Sequence, residues 1–274
     1  MISSEIVTLH SNKPGPTLAI FAGVHGNEKA GVYALQQLST ELKIIRGKVL
    51  LVFANPPAIE AKVRMVNKNL NRCFLKDNKG DKPEDIRARE LMRVLDGCDA
   101  LLDLHMFYDD NGLPFAICED NSLEIAKLFE IDIISTNWNE VEAGATDGYM
   151  YQQGKVGVCV ECGPISKAEE YTAFARKTVY QFLSYYKVVD PVVSYSSKSK
   201  RIIRAEKTVY KSSKDFKLRK GLSNFDALHE GRILATDGSK KLTAQSGECI
   251  IFPHYNARIG EEAYVIGIEE GVLL

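Results

Sequence analysis

Residues 17–38 read TLAIFAGVHGNEKAGVYALQQL. The first six are apolar without alternation, as in a strand buried on both faces of a sheet. From Asn27 to about Leu42 the apolar residues Ala30, Val32, Ala34, Leu35, Leu38 and Leu42 fall near helical spacing. Between strand and helix lies Gly23-Val24-His25-Gly26-Asn27-Glu28. A His and a Glu three apart, among glycines, at the exit of a buried strand can both reach one point. In parallel sheets such exits are where sites form.

The same texture recurs along the chain. Lys48–Ala54 and Ala100–Leu104 read as buried strands, and Phe115–Cys118 and Ile131–Ser135 as two more. Lys155–Glu161 is a further buried strand, expected to end at Cys162-Gly163-Pro164. Asn55-Pro56-Pro57-Ala58 stops the second strand, residues 60–82 read as irregular, and Pro83 opens a helix to about Leu95. Ser122 is expected to cap a helix to Phe129, and Ser166, with Glu169, one to Tyr186. Strands alternating with helices predict an α/β fold, a mixed, largely parallel sheet flanked by helices. After Pro191 short β-like stretches punctuated by Gly and Asp take over. The expected division is 1–193 for the catalytic domain and 194–274 for a small all-β domain.

Composition narrows the function. The chain has 274 residues, 45% hydrophobic and 26% charged, with a formal net charge of −1. That is a globular composition with no global attraction to nucleic acid or membrane. Residues 198–220 carry ten Lys/Arg against Glu206 and Asp215, a local charge of +8 that leaves −9 for the rest. Such a run is ordinarily a solvated face; it could also steer anionic substrates or dock on another subunit, so a homo-oligomer stays open. The six cysteines sit in or beside apolar runs, as reduced, buried cysteines do. The N-terminus has no basic start followed by an apolar stretch, and no apolar run approaches the ~20 residues of a membrane span. A cytoplasmic protein is expected.

Candidate ligands and catalytic groups stand at strand exits. His105 follows Leu101-Leu102-Asp103-Leu104, with Asp103 on its own face of the strand as a candidate orienter. His25, Glu28 and His105, with one position open, form the ligand set of hydrolytic zinc sites. Glu161, ending an apolar run, is the candidate base, since an ionisable group there is costly unless paired or used. Arg64 is a candidate to stabilise charge on a carbonyl oxygen, and Asn71 with Arg72 to hold a carboxylate; spacing alone also suits a solvated basic loop. Cys159 and Cys162 form a lone CxxC across a strand end, which argues against a redox or zinc motif. His10, His229 and His254 lack comparable partners.

In order, GVHGNE, NPPA, RMVNKNLNRCF, DLHMF, VECGP and EEAY resemble the succinylglutamate desuccinylase/aspartoacylase family, a branch of the zinc carboxypeptidase superfamily. The resemblance implies one zinc ion per chain on His25, Glu28 and His105, with Glu161 as base and proton shuttle. It implies Arg64 at the scissile carbonyl, Asn71 and Arg72 on a substrate carboxylate, and Tyr264 reaching the site from a C-terminal β domain that roofs it. The implied activity is deacylation of a small N-acyl amino acid. Two departures bear on the substrate. Asn69 stands where the family usually has Asp, and Tyr151 and Gly267 occupy positions that hold aspartate in aspartoacylases. N-acetylaspartate is therefore not the expected substrate. The alternatives are a carboxypeptidase or amidase acting on small peptides, and a non-catalytic binding protein.

Overall fold

A computed structural model describes residues 5–190 and 193–274. The first four residues of the N-terminus read above, and residues 191 and 192 of the expected link, lie outside the described residues. The chain runs β1 (Ile6–His10), β2 (Thr17–Ala22), α1 (Lys29–Glu41), β3 (Lys48–Phe53), α2 (Pro56–Ala61), α3 (Pro83–Asp96) and β4 (Ala100–Phe107). It continues with β5 (Phe115–Cys118), α4 (Leu123–Ala126), β6 (Ile133–Thr136), α5 (Trp138–Val141), α6 (Thr146–Tyr151), β7 (Val156–Pro164) and α7 (Ala168–Tyr185). Strands then follow one another: β8 (Lys200–Tyr210), β9 (Phe216–Leu218), β10 (Ile233–Asp237), β11 (Lys240–Thr243), β12 (Glu248–Ile251) and β13 (Glu262–Leu273).

Ten strands form one mixed sheet in the order β1-β3-β2-β4-β7-β5-β6-β8-β13-β12. Its centre, β3-β2-β4-β7, is parallel throughout. β2 shows why its sequence is apolar at every position after Thr17. Leu18, Ile20 and Ala22 pack on one face with Leu35 and Leu38 of α1 and Val179, Phe182 and Leu183 of α7. Ala19 and Phe21 face the other side, with Leu91 and Leu95 of α3. Successive side chains of a strand alternate faces, so a strand covered on both sides is apolar without a break. The expected α/β architecture is thus observed.

The C-terminal strands do two things. β8 pairs parallel with β6, and β13 and β12 extend the sheet from β8. Only β9, β10 and β11 make a separate, antiparallel three-stranded sheet. The basic stretch 198–220 forms β8 and β9, and several of its cations are paired, as in Arg201–Glu269 at 2.7 Å. Lys200 is buried, its Nζ donating to the Ile131 carbonyl at 2.6 Å and Ser196 Oγ at 2.8 Å.

Four local readings differ from the structure. The proline pair does not simply stop β3. Asn55 Oδ1 accepts the Ala58 N–H at 3.4 Å, and the prolines fill the first turn of α2, where their missing N–H costs nothing. β7 runs on through Cys162-Gly163-Pro164. Ser166 caps nothing, its hydroxyl bonding to Asp110 while α7 starts at Ala168. The helix after Ser122 is a single turn, and the Ser122 hydroxyl accepts the Gly157 N–H at 3.2 Å instead.

α2 explains the glycines of the opening stretch. Gly23 has φ +72°, a conformation glycine adopts without steric cost. A Cβ on Gly26 would lie 2.0 Å from the carbonyl carbon of Ala58 in α2, so backbone meets backbone there. Gly26→Ala is expected to destabilise the fold by about 1–3 kcal/mol, the usual cost of overpacking, read from the urea midpoint. A variant as stable as the parent would show that α2 does not hold this loop.

Candidate active site

The turn after β2 closes with the Glu28 N–H on the His25 carbonyl at 3.2 Å, which folds the two side chains onto one point. His25 Nδ1 lies 2.7 Å from Glu28 Oε1. His105, near the end of β4, brings its Nδ1 to 3.0 Å from Glu28 Oε2. The two imidazoles stand edge to face, with ring centroids 5.1 Å apart. All three residues are buried, and their ligand atoms lie within 4.8 Å of one another. β2 and β4 are parallel neighbours, so their exits lie side by side.

The other ring nitrogens are held from behind. His25 Nε2 lies 3.0 Å from Asn69 Oδ1, which also accepts the Asn71 N–H at 3.0 Å. His105 Nε2 lies 3.1 Å from Asp103 Oδ2. That contact is at ion-pair distance without hydrogen-bond alignment; the same oxygen takes the Thr146 hydroxyl at 2.6 Å. A histidine ligand typically turns one nitrogen to the ion and rests the other on an oxygen acceptor. With Nε2 as the N–H of His25, an assignment made from the network, its Nδ1 faces the Glu28 carboxylate unprotonated; His105 turns Nδ1 to the same carboxylate, where an ion would take the place of its proton. The residues fit a divalent ion.

A second group, His105, Cys159 and Glu161, also lies within 4.8 Å. Burial pushes the Cys159 thiol well above its usual range, aided by Glu161. It stays a thiol, and the thiolate is the metal ligand. The histidine and glutamate triad is the better site.

Charge follows burial and neighbours. Burial would raise the Glu28 carboxyl, but His25 and His105 hold it well below the usual range. Burial and the Arg64 guanidinium lower His25. Burial would lower His105 too, but Asp103 and Glu28 raise it well above the usual value. Burial pushes Glu161 up to about 8 against the pull of His105, with the Glu28 charge adding to the rise. Glu161 pairs with His105 in the β4–β7 register, and its Oε2 is buried with no hydrogen-bond partner among the described residues.

The triad opens into a cavity of about 480 Å³ lined by every residue singled out above as ligand, base or substrate contact. Arg64 Nη1 leans on Glu28 Oε1 at 3.1 Å. Asn71 Oδ1 accepts the Thr146 N–H at 3.3 Å. Three of the five Arg72 N–H groups are engaged: Nε donates to Glu142 Oε2 at 2.8 Å, Nη2 to Glu262 Oε1 at 2.7 Å, and Nη1 to the Asn71 carbonyl at 2.8 Å. Tyr264 is only 2% exposed and packs with Phe216, Leu222 and Leu234 under the small sheet. The tyrosines nearer the opening are Tyr210, whose hydroxyl donates to Glu142 Oε1 at 2.5 Å, and Tyr108, stacked on His254 at 4.7 Å. Tyr151 is outside the cavity lining, and Gly267 is packed between Ile203 and Ile251.

Sequence reasoning missed Glu142, Asp147, His254 and Glu262 on this lining. Glu142 and Glu262 stand 70 and 190 residues from Arg72, with no local pattern to link them. Asp147 sits in a first helical turn, where an acid is ordinary.

An α/β sheet whose parallel strand exits gather a buried His–Glu–His cluster beside a buried carboxyl presents side chains that could hold a metal ion next to an acid–base group. Residues 14–186 match the succinylglutamate desuccinylase/aspartoacylase catalytic domain, and the chain belongs to that family. It is similar to a probable aspartoacylase from a Nostoc species, 27% identical over 61% of this chain and 63% of the relative. It is 31% identical to the N-alpha-acetyl-L-2,4-diaminobutyric acid deacetylase of Halomonas elongata over 67% of this chain and 58% of that protein. These two matches span less than two thirds of the relatives' lengths. A Serratia proteamaculans succinylglutamate desuccinylase is 26% identical over 94% of this chain and 86% of its own. Among solved structures, Vibrio cholerae succinylglutamate desuccinylase superposes with a TM-score of 0.80 at 19% identity, covering 98% of this chain and 88% of that one.

His105, held above its usual range, must lose its proton for a metal to bind. A raised folded pKa stabilises the metal-free fold below the ordinary histidine value of about 6.5, and that contribution is lost as pH rises through the folded pKa. Zinc uptake at pH 7 is expected to release about one proton and to tighten as pH rises. Calorimetry in buffers of different ionisation heat reads this; uptake without proton release would contradict it.

Proposed function

We propose that the chain is a zinc-dependent hydrolase that removes the acyl group from a small N-acyl amino acid, with one zinc ion on His25, Glu28 and His105. The observation that carries this reading is Glu161, a buried carboxyl with an unpartnered oxygen, one strand from the triad and open to the same cavity. Zinc bound there supplies Lewis acidity, polarising a carbonyl oxygen and making water nucleophilic near neutral pH. Glu161 takes the proton of the attacking water on Oε2 and returns it to the leaving amine. Its raised pKa suits both transfers, since a proton shuttle works best near the operating pH. Arg64 makes hydrogen-bond contacts only through Nη1 among the described residues, so its other N–H groups are available to the developing oxyanion.

The cavity's size supports a small substrate. Tyr210, Phe252, His254 and Glu262, from the C-terminal strands and loops, line it opposite the triad. We read residues 194–274 as a cap that limits the depth a peptide could occupy. All six cysteines are buried and free, and no described helix is long and apolar enough to cross a membrane. Both facts support a cytoplasmic setting.

Glu161→Gln is expected to keep zinc and lower kcat by about 10²–10⁴, the usual worth of a positioned acid–base group, in an assay with N-acetyl and N-succinyl amino acids. In the parent, kcat/KM is expected to rise with pH as Glu161 deprotonates. The cation lowers that pKa, so the limb lies between the ordinary glutamate value of about 4.3 and the raised value of about 8. Parental turnover in the glutamine variant would reject the base assignment.

A further inference from the structure

Two carboxylates grip Arg72, and they are held very differently. Glu142 ends α5, and its side chain is 6% exposed. Both its oxygens are used: Oε2 accepts from Arg72 Nε at 2.8 Å and Oε1 from the Tyr210 hydroxyl at 2.5 Å. The loop that follows is locked to Arg72 as well. Gly144 has φ +92°, and a Cβ on it would lie 2.8 Å from the Arg72 carbonyl carbon. Its own carbonyl accepts the Phe74 N–H at 3.0 Å. Glu262 starts β13, and its side chain is 32% exposed. Its Oε1 accepts from Arg72 Nη2 at 2.7 Å, and among the described residues its carboxylate makes no other hydrogen bond.

The asymmetry matters because of how a guanidinium reads a carboxylate. It offers two edges for a two-pronged contact: Nε with the terminal nitrogen beside it, or the two terminal nitrogens together. Glu142 closes the first edge at Nε. On the second, Nη1 and Nη2 each keep one N–H, and Glu262 stands against it at Nη2. Burial would raise the Glu262 carboxyl, but Arg72 and Arg64 hold it below the usual range, so it is charged. A second carboxylate arriving on that edge meets a like charge at contact distance, which disfavours both charges together. One of the two has to leave Nη2. Glu142 is buried with both oxygens bonded, whereas Glu262 is a third exposed and can turn to solvent. Arg72, Glu142, Tyr210 and Glu262 all line the cavity.

We infer that Glu262 competes with substrate for Arg72. The α-carboxylate of an N-acyl amino acid takes the edge that Glu262 guards and turns the Glu262 side chain out to solvent, while Glu142 and Tyr210 keep the guanidinium aimed. The inference rests on the deacylase reading and adds three positioning residues, none of them at the bond that breaks. Glu262 and Tyr210 are partners across the β13–β8 pair, so the competitor and one of the holders sit side by side on the C-terminal strands. Those strands thereby set how tightly Arg72 takes substrate.

The test is binding, measured by calorimetry on the zinc-loaded Glu161→Gln protein, where the ligand is not consumed during the titration. N-acetyl-L-norleucine is compared with its α-carboxamide, and the acid is expected to bind about tenfold more tightly, as a charge-assisted contact gives. Glu262→Gln, added to that protein, is expected to tighten the acid by about two- to fivefold, the worth of a part-exposed ion pair, and to leave the amide unchanged. Glu142→Ala is expected to weaken the acid by about tenfold, the worth of a hydrogen bond between charged groups, again without moving the amide. Tyr210→Phe is expected to act in the same direction by less, and it decides the point if Glu142→Ala does not fold by circular dichroism. A merely structural role for these residues would move acid and amide together, and a merely electrostatic one would make both glutamate variants tighten the acid. Either result overturns the inference, as does acid bound no more tightly than amide, or Glu262→Gln binding the acid no more tightly than its parent. Turnover enters none of these readouts. Failure of the deacylase reading shows separately, as hydrolysis of no N-acyl amino acid by the protein that keeps Glu161.

Discussion

The carboxylate of Glu28 is the constraint around which the site is built. It is 1% exposed and accepts from the Met106 backbone N–H at 3.0 Å and from Arg64 at 3.1 Å, besides meeting both imidazoles. A buried anion is tolerated only when its lone pairs are filled. Here the partners come from the turn after β2, the loop carrying Arg64, and β4. Their convergence fixes where the two parallel strands end relative to each other. It also explains the close packing of α2 on Gly23 and Gly26, which leaves the loop no room to swing His25 away.

Around that point the structure sets one polarity against another. His105 and Arg64 offset the Glu28 charge, and Arg72 that of Glu142 and Glu262 in part, but among the described residues Glu161 and Asp147 have no ion pair. Buried groups whose environments push their pKa values toward neutrality are characteristic of acid–base and recognition sites. The two differ in position. Glu161 faces His105 across adjacent strands, while Asp147 is carried by α6 next to the Thr146–Asp103 contact behind that histidine.

Much of this was legible in the chain because the signals are local. The apolar runs at 18–22, 49–53, 100–102 and 156–160 mark strands covered on both faces, and His25, Glu28, His105 and Glu161 stand just beyond the ends of three of them. The His25, Glu28 and His105 cluster could be assembled because it needs only strand exits. The hydrogen-bonded fate of Arg72 could not, because Glu142 and Glu262 reach it only after the sheet has folded back through β8 and β13. The same holds for the caps. Ser122 and Ser166 carry the right side chain at the right place, yet tertiary partners, Gly157 and Asp110, take their hydroxyls. α2 was hidden because Asn-Pro-Pro reads equally as a stop and as a capped first turn.

The central claim is that three side chains from two strand exits share a single divalent ion. Diffraction from zinc-loaded crystals, measured across the zinc absorption edge, tests it most directly. The account predicts one anomalous peak per chain, about 2.0–2.2 Å from a nitrogen of His25, a nitrogen of His105 and an oxygen of Glu28. A peak bound instead by Cys159 and Glu161, or no stoichiometric peak near His25, would contradict it.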